Sequence, residues 1–214
     1  MFIKLIVVLL AFLSGSIMYA YLLPMLLLKK DIRTLHPDAN PGGANAFRLQ
    51  KSLGILCTLL DILKGFFPVV LGLSLIGLDS IWTLLLILAP ILGHAFSPML
   101  AGKGGKCIAV TFGSLMALIP KDYIVLLLAL IFIIFSCVII INPCSTRVIL
   151  TMITFIITSW FFTPELYVQL SALLISILII YRHLKAPDPG PFHIQLLLHH
   201  VSPEEFISSH HVEE

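Results

Sequence analysis

The chain has 214 residues, of which 59% are hydrophobic and 11% charged, with a formal net charge of +2. A soluble domain carries about 25% charge, so this composition and a mean hydropathy of +1.07 exclude an ordinary water-soluble globule. A net charge of +2 is too small for a nucleic-acid-binding surface.

Apolar runs near 20 residues recur along the chain and alternating short strands are missing, which points to a helical membrane protein rather than a β-barrel. Spans are predicted at 2–28, 53–77, 81–100, 107–120, 123–142, 147–162 and 166–181. The fold class is therefore all-α and polytopic, with about seven transmembrane helices. The first run is too long for a signal-peptide core and reads as a retained span. Three of the seven are short against the ~20 residues a crossing helix needs. If 147–181 is a hairpin that does not fully cross, five spans remain and the C-terminus stays on the same side.

Charge orients the helices. Lys29, Lys30, Arg33, Arg48, Lys51, Lys103, Lys106, Arg147, Arg182 and Lys185 fall on one side, Lys4 and Lys121 on the other, and Lys64 inside a span. The positive-inside rule puts the larger group in the cytoplasm, with the N-terminus outside and the C-terminus cytoplasmic. The organisation predicted is an integral membrane domain over 1–185 and a cytoplasmic polar tail over 186–214.

In the first basic loop, His36 to Arg48, the residues Asn40, Gly42, Gly43 and Asn45 are turn formers with amide side chains, and Arg48 is a fork that suits phosphate. Taken alone this is an ordinary polar loop. Asp61 and Lys64 lie three apart inside the next span and can pair on one helix face. Charges at that depth are costly and tend to mark function, with a structural ion pair that positions helices as the alternative. Gly65 and Pro68 can bend the helix there.

The loop Gly102-Lys103-Gly104-Gly105-Lys106 interrupts apolar sequence with three glycines and two lysines. Glycines let backbone amides approach an anion, and the lysines add charge. It is not a P-loop, because no strand precedes it and Cys107 stands where Ser or Thr belongs. A tight polar turn remains the alternative. His94, near the end of the preceding span, suits a donor to an anion or a proton carrier.

Four cysteines without C-x-x-C spacing suggest neither a zinc site nor a redox pair. In the tail, Pro187-Asp188-Pro189-Gly190-Pro191 is a helix stop and Ser202-Pro203-Glu204-Glu205 a capped helix start. The tail histidines His193, His199, His200, His210 and His211 have no spacing that defines a metal site.

Together these stretches resemble the acyl-phosphate:glycerol-3-phosphate acyltransferase family, the PlsY type. "SGSI" at 14–17, "DIR" at 31–33 and "DILKGFFPV" at 61–69 are similar to the family's sequence. So is the run from Gly93 to Gly113, with His94, Phe96, Lys103, Gly104, Gly105, Lys106, Ala109, Phe112 and Gly113 in register. The resemblance implies transfer of a fatty acyl group from acyl phosphate to the 1-hydroxyl of glycerol 3-phosphate. The product would be lysophosphatidic acid for bacterial phospholipid synthesis, made at the cytoplasmic face of the inner membrane. It implies acyl phosphate, glycerol 3-phosphate and membrane lipids as partners, and no metal or other cofactor.

By the same resemblance, His94, His183 and Arg48 are the catalytic candidates. Asn40, Gly42, Asn45, Lys64, Lys103, Gly104, Gly105, Lys106 and Arg147 are the substrate-binding candidates. Cys107 stands in place of a family Gly and Val110 in place of a Thr, and three further positions depart from the family pattern. Asp38 stands in place of a phosphate-contacting Ser, Leu150 in place of a Ser and Ala186 in place of an Asn. An anionic Asp38 would repel phosphate unless it is protonated, faces a lysine or points away. A relative that keeps a lipid- or phosphate-binding pocket without turnover is the competing reading.

Overall fold

A computed structural model describes residues 1–186, 188 and 190–196. The predicted start of a helix at Ser202 and the histidines from His199 onward lie outside these residues.

The first predicted span is two helices, α1 (Phe2–Ser16) and α2 (Tyr19–Leu28), bent by 42° at Ile17 and Met18. A break within lipid frees carbonyls that need donors. Here Lys64 Nζ donates to the Ile17 carbonyl at 2.6 Å and Ser97 Oγ to the Ser16 carbonyl at 2.6 Å. A short α3 (Gly43–Leu49) follows and leads into α4 (Lys51–Ile76). Next come α5 (Ile81–Ala95), α6 (Ile108–Met116) and α7 (Ile124–Ile133). The last two helices are α8 (Cys144–Phe162) and α9 (Leu166–Lys185).

By length and composition four helices can cross a membrane, or five if the bent α1–α2 pair is one span. This set differs from the five-span alternative read from sequence. α8 and α9, which that reading set aside, have 19 and 20 residues and are long enough. The short elements are α6 and α7. The nine residues of α6 rise only about 14 Å at ~1.5 Å each, against ~30 Å of hydrocarbon. Its helix gives way to turns before Pro120, which could not continue it.

The run predicted as one helix over 123–142 also divides. α7 passes into a π-helical turn, Ile134–Val138, and then into strand β1, Ile139–Asn142. Three consecutive isoleucines favour extended backbone, and Pro143 disfavours helix at the residue before it. Strand β2, His193–Leu196, pairs antiparallel with β1, Ile139 opposite Leu196 and Asn142 opposite His193. This two-stranded ribbon is the departure from an all-helical chain.

α1 packs on α5, α4 on α6, and α8 on α9, with α9 also against α5. The core between them holds Val69, Leu86, Ile91, Met152, Phe155 and Ile175. Ser114, Thr151, Ser171 and Ser176 satisfy their hydroxyls on carbonyls four residues back, which lets them be buried in an apolar bundle. Large apolar side chains stay exposed outside, including Leu59, Phe67 and Leu71 on α4 and Ile157 and Phe161 on α8. Such a surface suits lipid and not water.

Candidate active site

Four segments far apart in sequence meet at one end of the bundle: the loop from Asp31 to Gly42 with α3, the glycine–lysine loop after α5, the start of α8 and the end of α9. They surround a cavity of about 370 Å³ lined by Asp38, Arg48, Asp61, His94, Lys106 and His183, among others. A second cavity of about 300 Å³ lies beside it, lined by Lys103, Gly104, Arg182 and Lys185. Asp38, Asn40 and Lys106 line both.

Asp38 is the hub. Lys106 Nζ lies 2.9 Å from its Oδ2. Its Oδ1 accepts from Asn45 Nδ2 at 2.9 Å and from the Asn40 amide at 3.2 Å, with His36 Nδ1 at 3.1 Å. Burial alone would push this carboxyl up. The Asn45 hydrogen bond, Lys106 and the Asn40 amide outweigh burial and hold it at about 2. Asn45 also accepts from Arg48 Nη1 at 3.0 Å and donates to the Asn40 carbonyl at 2.9 Å. The exposed Arg48 is thus tied through Asn45 to the carboxylate that holds Lys106.

The glycine–lysine loop is clamped from α9. Arg182 Nε donates to the Gly105 carbonyl at 3.1 Å and its Nη2 to the Gly104 carbonyl. A Cβ on Gly104 would strike the His94 carbonyl, and one on Gly105 would strike His94 Nε2. The paired glycines are therefore required by the close approach of His94. Cys107, which caps α6, has φ of 69°, a left-handed backbone that glycine adopts without cost.

Asp61 and Lys64 form a buried pair, Nζ to Oδ1 2.8 Å. Asp61 turns one side to the cavity, where His94 Nδ1 lies 4.0 Å from the same oxygen. Among the described residues His94 Nδ1 has no hydrogen-bond partner. His183 donates from Nδ1 to the Ile179 carbonyl at 2.9 Å, which leaves Nε2 as the acceptor nitrogen of a neutral ring.

Of the residues singled out from sequence, Asn40, Gly42, Arg48, His94, Lys106 and His183 line the larger cavity. Lys103 and Gly104 line the second. Asn45 and Gly105 stand behind the wall as supports. Lys64 and Arg147 line neither cavity among the described residues. Lys64 is turned to Asp61 and the Ile17 carbonyl, the places where a buried ammonium finds its partners. Among the lining residues not singled out as site residues are Asp61, read as the partner of Lys64, and Asp188, read as part of a helix stop.

A family model described as glycerol-3-phosphate acyltransferase matches residues 5–187. The chain belongs to the glycerol-3-phosphate acyltransferase family. The glycerol-3-phosphate acyltransferase of Macrococcus caseolyticus is 36% identical over 180 residues, covering 82% of this chain and 87% of the relative. That of Endomicrobium trichonymphae is 33% identical over 186 residues, covering 86% and 89%. Crystal structures of PlsY (YgiH), described as an integral membrane glycerol 3-phosphate acyltransferase, share the fold. Its glycerol 3-phosphate form matches with a TM-score of 0.74 and 30% identity, covering 85% of this chain and 88% of that one. Its lysophosphatidic acid form matches with 0.71 and 31%, covering 84% and 87%.

Within this acyltransferase family, the departure at Asp38 has a local account. Its carboxylate faces a lysine, Lys106, with its remaining capacity taken up by amides. Among the described residues, Leu150 and Ala186 have no such compensating contact.

Proposed function

We propose that the protein transfers a fatty acyl group from an acyl phosphate to the 1-hydroxyl of glycerol 3-phosphate, giving lysophosphatidic acid and phosphate. The observation that carries this reading is Lys106. It stands in the wall between two cavities, beside Arg48 on one side and Lys103 on the other. That place suits two phosphate-bearing substrates. The two PlsY forms, with glycerol 3-phosphate and with lysophosphatidic acid, support the acceptor and the product by likeness.

Acyl phosphate is a mixed anhydride and already activated, so positioning and charge neutralisation are the main tasks. The 1-hydroxyl oxygen attacks the acyl carbon, and the bond from that carbon to the phosphate oxygen breaks. The hydroxyl proton passes to the departing phosphate or to His183 Nε2. Lys106, Arg48 and Lys103 hold phosphate oxygens, and the acyl chain lies among the helices. The excess of Lys and Arg on the side that carries these loops supports a site at the cytoplasmic face of the inner membrane, serving phospholipid synthesis.

A second reading is a relative that binds phosphate without turnover. It is favoured by the two carboxylates, Asp38 and Asp188, already on Lys106. Purified protein in lipid cubic phase, given palmitoyl phosphate and glycerol 3-phosphate, decides between them. Formation of lysophosphatidate and phosphate dependent on both substrates is the expected result. Glycerol 3-phosphate binding with no turnover would overturn the first reading in favour of the second.

A further inference from the structure

The match to the family ends at residue 187, yet the chain goes on to make contacts inside the site. Asp188 Oδ1 lies 3.3 Å from Lys106 Nζ, and Asp188 lines the larger cavity. Its placement is built. Oδ2 accepts from Ser145 Oγ at 2.9 Å, and the Asp188 amide donates to the same hydroxyl oxygen at 2.8 Å. Ser145 is in the first turn of α8, where the helix end favours an anion. Five residues on, β2 pairs with β1, and Asn142 Nδ2 meets His193 Nε2 at 3.1 Å. Asp188 is thus fastened to the start of α8 and β2 to β1, with the Asp188 carboxylate directed at Lys106.

Lys106 therefore carries two anions before any substrate arrives. Asp38 belongs to the inner wall, bound by three other donors and buried, its side chain 3% exposed. Asp188 is the exchangeable one, because among the described residues its one partner besides Lys106 is the Ser145 hydroxyl.

We propose that Asp188 is an autoinhibitory latch: in the ligand-free protein its carboxylate occupies the position on Lys106 that a substrate phosphate oxygen takes, and phosphate binding displaces it. The inference rests on the reading of Lys106 as a phosphate ligand. A phosphate dianion offers more charge and more acceptor oxygens than a carboxylate, so it wins the exchange when its concentration is sufficient. A latch closed about nine-tenths of the time weakens apparent affinity about tenfold.

The test compares the full-length protein with Asp188→Asn and Ser145→Ala. Binding of inorganic phosphate is measured by calorimetry, and KM for glycerol 3-phosphate by turnover. Both variants are expected to bind phosphate about tenfold tighter and to show a lower KM with kcat at least that of the unaltered protein. Adding saturating phosphate to the unaltered protein is expected to speed hydrogen exchange at the Asp188 amide.

Unchanged or weaker phosphate binding in both variants, or unchanged exchange at the Asp188 amide, overturns the latch. So does a fall in kcat with KM unaltered, which would make Asp188 part of the machinery. The calorimetric and exchange readouts do not need turnover. Tighter phosphate binding in variants of a protein that makes no lysophosphatidate would retain the latch and sink the acyl-transfer reading alone.

Discussion

Arg182, in the last turn of α9, donates its Nε proton to the carbonyl oxygen of Gly105 at 3.1 Å across 77 residues of sequence. The same guanidinium reaches the Gly104 carbonyl through Nη2. Held by one fork, the loop keeps its backbone fixed where Lys103 and Lys106 line the cavities. A lysine cannot present that fork. Arg182→Lys should raise KM for the phosphate-bearing substrate about tenfold or more, with a smaller effect on melting temperature. Equal kinetics in the two proteins would show that the loop holds its shape without the clamp.

Gly105→Ala brings a methyl group onto His94 Nε2, and Gly104→Ala brings one onto the His94 carbonyl. A side-chain ring can turn aside and a backbone carbonyl cannot. Overpacking of this kind costs about 1–3 kcal/mol, so Gly104→Ala should melt lower than Gly105→Ala. Gly105→Ala should instead lose activity by displacing His94. Thermal melts in detergent alongside turnover assays separate the two effects, and the reverse order would refute the contact.

Lys106→Ala strands Asp38 in a buried site and should destabilise by about 3 kcal/mol or more, the usual cost of leaving one partner of a buried pair. Lys106→Ala combined with Asp38→Asn should recover most of that stability and none of the activity. A double-mutant cycle on melting temperature and turnover reads both outcomes. Recovery of activity in the pair would mean that Lys106 serves Asp38 and not substrate.

The depressed Asp38 carboxyl, at about 2, gives a pH signature. A group whose value is lower folded than unfolded contributes its full stability above the unfolded value, ~3.9 for Asp. It loses that contribution as the pH falls through the folded value. The melting temperature of the unaltered protein should therefore drop more steeply between about pH 4 and 2 than that of Asp38→Asn. Parallel curves would show that Asp38 is not held by Lys106 and Asn45.

Lys64→Met removes the donor to the Ile17 carbonyl and the partner of Asp61 together. It should cost about 3–5 kcal/mol, and adding Asp61→Leu should restore part of this by removing the unpaired charge. The break between α1 and α2 would still lack its donor. Full restoration by the second change would show that the break needs no help from Lys64.

The long apolar runs were legible. α4, α5 and α9 follow from hydropathy because lipid demands an unbroken apolar helix. The sequence marked 107–120 as short for a crossing helix, but the division of 123–142 was invisible to hydropathy, although Pro143 and the isoleucines before it carry the physical reason. The glycine–lysine loop, His94 and Asp38 were legible through motif register. For Lys64 the sequence left a substrate contact and a structural pair open, because an intramembrane cation reads the same whether it faces a substrate or a broken helix. Asp188 had no local signal, since its partner Lys106 lies 82 residues away and a lone Asp among prolines reads as a stop. Cys107 did carry a hint: it stands where the family has a glycine, and its φ of 69° shows why glycine suits that position.

The clamp on the lysine loop comes from the end of α9, and this has a consequence for biogenesis. A ribosome delivers Gly104–Lys106 to the membrane long before it delivers Arg182 and His183. Until α9 is threaded, the loop's carbonyls have no guanidinium and the cavity lacks one wall. A nascent chain halted after α8 therefore exposes its lysines in an unshaped turn. The site is therefore complete only once α9 has been inserted.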